Sequence, residues 1–376
     1  MNRIIGLVTI NSLILILFLV SYFINRLSNN GIFFGVRFPI EYLQERELNK
    51  LDKSYKKIMA SLFLLLFLII NVVSFRINVL DDEAMGWLIG SMVVVSLIAS
   101  NMIFIIYYFK TKNLKGEKGW TYKGKNLVVT DTTFRKPKKD EKFKPIDSKL
   151  FLLLLMFPII MFLLTVFKYN SLPQVMEIPN STFGVFNTET LRGKLIMFQG
   201  PLTQFFIGII MYVVSLVMNN SRVDLNSGSI EETVRRKKKF RRVSSIMIFV
   251  MAFQIMLMFS AIQCSILLNF DITIINYIFI ICLFFTIFIF MVLFIKIGQG
   301  GRNLQKFSEK DELYKDDDDK WILGGCYYNK NDPAWMVEKR TGIGWTVNFA
   351  NPKSWIAMGA LTLFIVINIV LSIVIS

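Results

Sequence analysis

The sequence predicts an all-α membrane fold, eight transmembrane helices with a small cytoplasmic β-meander. Three observations predict it. Hydrophobic residues make up 54% of the 376 and charged residues 19%, whereas a soluble domain has about 45–50% and about a quarter. Eight apolar runs contain no Asp, Glu, Lys or Arg. A helical span needs roughly 20 such residues, because hydrocarbon offers backbone groups no partner outside their own segment. Finally, 38 of the 43 Lys and Arg fall in the segments that follow the first, third, fifth and seventh runs. That asymmetry places those segments in the cytoplasm and both termini outside the cell. The net charge of +16 is therefore one-sided, and it matches an anionic inner leaflet better than nucleic acid.

The runs are Ile4–Ile24, Ile58–Phe75, Gly86–Phe109, Leu150–Phe167, Leu195–Met218, Val243–Asn269, Tyr277–Phe294 and Trp355–Ile375. They divide the chain into residues 1–109 (helices 1–3), 110–149 (a cytoplasmic loop), 150–297 (helices 4–7), 298–353 (the β-meander) and 355–376 (helix 8). The first run lacks a small-residue cleavage site and reads as a retained helix. Trp87, Tyr107, Tyr108 and Trp355 stand at run ends, where an interfacial belt places them.

Between helices 1 and 2, Asn29-Asn30-Gly31 signals a turn and Pro39 suits a helix start. Ile40, Leu43, Leu48, Leu51 and Tyr55 then recur near helical spacing, which predicts an amphipathic helix over 40–57 on the inner leaflet. The loop 110–149 is Lys-rich, with one short strand expected at Val128–Thr130. In the basic loop 219–242, Ser229 and Glu232 form a capping-box pattern. It leads into Arg235, Arg236, Lys237, Lys238, Lys239, Arg241 and Arg242, a patch expected to anchor the chain on anionic lipid. In the segment 298–353, Asp316 to Asp319 reads as a solvated charge run. Ile343, Trp345, Val347 and Phe349 alternate with Gly344, Thr346 and Asn348, which is strand periodicity with one buried face. The outer loop 168–194 is aromatic and weakly charged, with Pro173 and Pro179 bracketing an apolar stretch.

There is no histidine, and the three cysteines have no metal-site spacing. His-based catalysis and the common metal centres are excluded. No Walker, HExxH or GxSxG pattern is present, so neither an enzyme nor a cofactor is expected. The spans carry only amides and hydroxyls as polar groups. Gln199, Gly200, Pro201 and Gln204, with Gln254 and Gln263, and Pro173 and Pro179 of the outer loop, are the candidate ligand residues. Pro201 frees a carbonyl one turn back and Gly200 permits close approach. Interhelical packing is the competing role for such groups.

Gly35-Val36-Arg37-Phe38-Pro39, Leu172-Pro173 to Pro179, and the set Tyr327-Tyr328-Asn329, Asn331-Asp332-Pro333, Arg340 and Gly342–Phe349 (with Gly344, Trp345 and Asn348) carry a resemblance. The chain is similar to bacterial polytopic membrane proteins of unknown function related to the SdpI-type toxin-immunity family, with an attached small cytoplasmic domain. Asn180-Ser181 stands where that family has a histidine in its outer loop. The resemblance implies a cell-membrane protein of low-GC Gram-positive type that gives resistance to a secreted peptide or holds a regulator at the membrane. Its expected partners are the lipid bilayer, a cytoplasmic protein and an extracellular peptide. Transport of an amphipathic solute is the alternative.

Overall fold

The computed structural model describes residues 2–29, 31–76, 82–121, 143–177, 185–221, 230–304 and 316–375. In chain order these form α1 (Asn2–Tyr22), α2 (Ile24–Leu27), β1 (Ile32–Phe33), β2 (Val36–Arg37), α3 (Arg46–Arg76), α4 (Asp82–Lys118), α5 (Lys149–Leu153), α6 (Met156–Tyr169), β3 (Val175–Glu177), β4 (Val185–Asn187), α7 (Leu191–Asn220), α8 (Ile230–Leu268), α9 (Thr273–Ile297), β5 (Trp321–Ile322), β6 (Cys326–Tyr327), β7 (Met336–Glu338), β8 (Trp345–Val347) and α10 (Pro352–Ile375). Among the described residues, seven helices are long and apolar enough to cross a membrane, and Leu7–Tyr22 is a shorter apolar helix at the first predicted run. The predicted Val128–Thr130 strand, Ser229 and Pro179 lie outside the described residues.

Several helices outrun their apolar windows. The helix expected to lie on the inner leaflet over 40–57 is instead a short 3-10 turn, Ile40–Gln44, followed by the first turns of the 31-residue α3. Glu45 is extended at the junction, so the amphipathic stripe becomes a continuation of a spanning helix. Likewise α4 continues through Lys118 into the Lys-rich loop.

Contacts divide the chain into two compact units. The first comprises residues 1–143, 222–240 and 288–350. Here α1, α3 and α4 pack around Ile10, Ile14, Tyr55, Met59, Phe63, Ile70, Leu88 and Tyr107. Tyr107 and Tyr108 are buried rather than facing an interface, whereas Trp87 is exposed. The β1–β2 hairpin pushes Phe34 into this core against the rings of Tyr55, Phe104 and Tyr107. The expected meander is two separate two-stranded hairpins, β5–β6 and β7–β8, joined by one parallel bridge, Tyr327 to Asn348. Burial does not alternate along β8, where all three residues are half-buried. A hairpin this short has too little apolar area for a face of its own, and polar groups hold it instead.

The second unit comprises residues 144–221, 241–287 and 351–376. The fourth predicted span is broken into α5 and α6. Pro158 cannot donate to the Leu154 carbonyl one turn back. The Phe157 N–H donates to that oxygen at 3.2 Å instead, and the chain tightens into a turn. Phe151, Leu154, Ala252 and Met256 form one core cluster. The β3–β4 hairpin closes a second one, Met176 with Ile196, Met197, Ile266 and Leu267. α10 meets α7 through Thr203 Oγ1 donating to Asn368 Oδ1 at 3.0 Å and through Phe206 on Phe364.

Candidate functional site

Two of the three stretches of the resemblance, 35–39 and 327–349, meet in the first unit, and Leu172-Pro173 belongs to the second. Phe34 and Gly35 both take positive φ, +43° and +78°, the primed turn geometry that matches strand twist in a two-residue hairpin. Leu323 and Gly324 repeat it at +51° and +71°. The two turns meet glycine to glycine, and a Cβ on Gly35 would lie 2.5 Å from Gly324 Cα. Only two residues without side chains permit this approach. The contact brings β2 alongside the segment that precedes β5.

Arg37, Arg340 and Asp317 meet there. Arg37 Nε donates to Asp317 Oδ1 at 2.7 Å, and Arg340 Nη2 donates to the same oxygen. Arg340 Nη1 reaches Asp318 Oδ1 at 2.6 Å and the Gly35 carbonyl at 3.0 Å. The Arg37 backbone N–H also donates to Asp318, at 3.0 Å. Lys115, at the end of α4, donates to Asp318 at 2.7 Å and Asp316 at 3.2 Å. Within the acidic run Asp317 is buried and Asp318 half-buried, while Asp316 and Asp319 are exposed as expected. Asp317 is 4% exposed, with two guanidiniums in place of its water. Among the described residues, no group of three or more Cys, Asp or Glu could hold a metal ion.

A second knot is neutral. Asn348 is fully buried, and its Nδ2 donates to the carbonyls of Asn329, Asp332 and Ala334 at 2.9–3.1 Å. Its Oδ1 accepts from the backbone N–H groups of Asn329 and Ala350. One side-chain amide thus folds the turn around Pro333. Tyr327 donates to Asp332 Oδ2 at 3.0 Å and accepts from Asn329 Nδ2. Burial pushes its phenol up to about 12. The Arg340 guanidinium lies 5.4 Å over the Trp321 ring.

Gln299, after α9, exchanges two 2.9 Å hydrogen bonds with the backbone of Gly344, and Ser28 accepts from the Gly342 N–H. Arg302 donates to the Asn25 carbonyl at 2.8 Å, with burial drawing its guanidinium down to about 10. Pro39 precedes the 3-10 turn, Pro333 and Tyr328 are exposed, and the Trp345 ring packs on Phe240.

The basic run splits by helical face. Arg236, Lys237, Phe240 and Arg241 are buried, Lys238 is half-buried, and Arg235, Lys239 and Arg242 are exposed. Lys237 pairs with Glu338 at 2.7 Å, the two side chains 7% and 3% exposed. Arg241 donates to the Ser221 carbonyl. So three residues of the expected lipid patch are inside protein.

In the second unit the glutamines do not share one network. Gln204 Nε2 donates to the Met256 carbonyl at 2.8 Å and Ser260 Oγ at 3.0 Å. Gln254 donates to Thr286. Gln263 Nε2 donates to Thr165 Oγ1 at 2.7 Å and to the Met197 carbonyl at 2.9 Å. Met197 is the residue whose carbonyl Pro201 leaves free. Gly200 makes the room, since a Cβ there would lie 2.7 Å from Gln263 Oε1. The Gly200-Pro201 pair therefore serves as a socket for Gln263. The amide oxygens of Gln199, Gln204, Gln254 and Gln263 are buried with no hydrogen-bond partner among the described residues. The exposed Pro173 offers its carbonyl to Thr188 Oγ1.

Sequence reasoning missed Asp317, Asp318, Lys115, Glu338 and Gln299 as partners, and Gly324 as the mate of Gly35. The Leu323-Gly324 turn before paired aromatics, matching Phe34-Gly35, was the available signal. A model of a family of unknown function (DUF5808) matches residues 330–355, the stretch folded around Asn348. No curated protein matches the chain, and no solved structure does.

Proposed function

We propose that the chain is a non-enzymatic, multi-pass protein of the cytoplasmic membrane that senses, or protects against, envelope-active peptides or related amphipathic ligands. In this reading eight helices span the bilayer with both termini outside. The 168–194 loop receives the ligand, and the hairpins with the basic helix report to a cytoplasmic protein. The SdpI-type resemblance suggests the role, and it remains an analogy of site and fold.

One observation carries the reading furthest. The β3–β4 hairpin is built onto the helix ends rather than left as a loop. Tyr169 donates to the Thr188 carbonyl, and a Cβ on Gly193 would lie 2.0 Å from the Asn187 carbonyl oxygen. Met197 packs under the hairpin through its side chain and holds Gln263 through its carbonyl. A ligand that moved the hairpin would therefore load the α7–α8 contact directly. Exposed Phe167, Val175 and Leu191 offer it apolar contact.

The test is deletion of the gene followed by challenge with envelope-active peptides. Greater sensitivity or altered transcription of neighbouring genes is expected, restored by the wild-type chain and not by Gly193→Val at equal membrane abundance. Unchanged sensitivity and transcription would end the proposal. A second reading, transport of an amphipathic solute, is favoured by the four partnerless glutamine oxygens. Uptake into proteoliposomes that falls with Gln204→Leu would select it.

A further inference from the structure

We propose that the tip of the β5–β6 hairpin, Ile322 and Leu323, is seated in the headgroup–acyl boundary of the bilayer. The inference rests on the reading of α4 as a membrane-crossing helix. Side chains alternate across this hairpin. Trp321 and Tyr327 are buried, while Ile322 (52% exposed), Leu323 (37%) and Cys326 face outward. These form an apolar strip on an otherwise polar part of the chain.

The depth of the strip identifies what covers it. Gly324 packs on Gly35, and a Cβ there would also lie 3.0 Å from Tyr108 Cδ2. Phe34, the neighbour of Gly35, has its ring centroid 5.3 Å from that of Tyr107 and 6.3 Å from that of Phe104. Phe104, Tyr107 and Tyr108 all belong to the charge-free run that ends at Phe109, one residue before Lys110. The turn of the hairpin is thus level with the last turns of the apolar span, not with the water beyond it. Lys112 Nζ lies 5.9 Å over the Tyr108 ring, placing an ammonium where phosphates would be. Exposed Phe109 (48%) adds an aromatic at the same level. Exposed apolar side chains beside a lysine, at the depth where hydrocarbon gives way to headgroups, fit lipid.

The experiment uses the unaltered full-length chain in vesicles containing phosphatidylglycerol with a photoactivatable diazirine in its acyl chain. After illumination, trypsin separates three informative peptides: residues 77–110 from α4, residues 321–330 from the hairpin, and residues 331–339 after it. Lipid adducts on 321–330 at a yield comparable to 77–110, with background on 331–339, are expected. Adducts on 77–110 but none on 321–330 would overturn the seating while leaving the α4 span intact. No adducts on 77–110 would remove the span and the seating together.

Discussion

Asp317 carries two guanidiniums on one carboxylate, with side-chain exposures of 7% for Arg37, 1% for Arg340 and 6% for Asp317 itself. Removing one member of a buried ion pair leaves an uncompensated charge, which costs about 3–5 kcal/mol. Asp317→Asn removes the carboxylate that both guanidiniums share and leaves Arg340 with Asp318, whereas Arg37→Gln leaves Asp317 still paired with Arg340. The expected order of thermal stability in detergent is therefore wild type, then Arg37→Gln, then Asp317→Asn, and an inverted order would contradict the clamp. Tyr327 gives a pH signature. Its phenol titrates near 12 in the folded chain against about 10 when unfolded, so the folded state holds the proton more tightly. Its contribution is intact below about pH 10 and declines as the pH rises toward about 12. Melting temperatures across that range are expected to fall less steeply in Tyr327→Phe. Neither residue role was legible in advance. Asp317, inside a run of four aspartates, looks solvated until an arginine 280 positions away is known to fold onto it. Asn348, placed on the polar face of a predicted strand, gave no sign that five backbone groups would converge on it.

At the level of elements, two departures from regular helix come from prolines that the sequence does show. Pro158 breaks α5 from α6, and Pro201 leaves α7 continuous but frees a carbonyl that a neighbouring helix uses. The difference lies in the partner. Gln263 holds the Met197 carbonyl, whereas the Leu154 carbonyl finds only its own chain. Replacing Gln263 with Leu removes both hydrogen bonds, and interhelical bonds of this kind average about 0.6 kcal/mol each. A loss of about 1 kcal/mol is expected, read as a lower melting temperature without loss of membrane insertion. The glycine pair is more demanding. Gly35→Ala must shift backbone and adopt a positive φ, whereas Gly90, with open space around it, accepts Ala. Faster proteolysis of the hairpins in Gly35→Ala and none in Gly90→Ala is the expected contrast. Here the sequence was partly readable, since Gly200-Pro201 announced a close approach. The amphipathic pattern over 40–57 was also real, but periodicity says nothing about whether such a stripe lies flat or prolongs a spanning helix.

Across the whole chain the apolar runs were the most legible feature, because a bilayer constrains length and charge more tightly than any packing rule. The confinement of cations to alternate segments leads to a further expectation. Reporter fusions at both ends should read as external and a reporter placed within 222–229 as internal, and ends on opposite sides would refute the eight-span topology. What no local pattern disclosed is that the basic run divides its residues between water and protein, since that depends on Glu338 arriving beside Lys237. The long separation between Arg37 and Asp317 has a consequence in time. At synthesis rates of about 5–20 residues per second, the arginine leaves the ribosome roughly fifteen seconds to a minute before its counter-ion exists. A chain that stalls in between holds Arg37 without Asp317. The clamp therefore closes only once the chain has been made through Arg340.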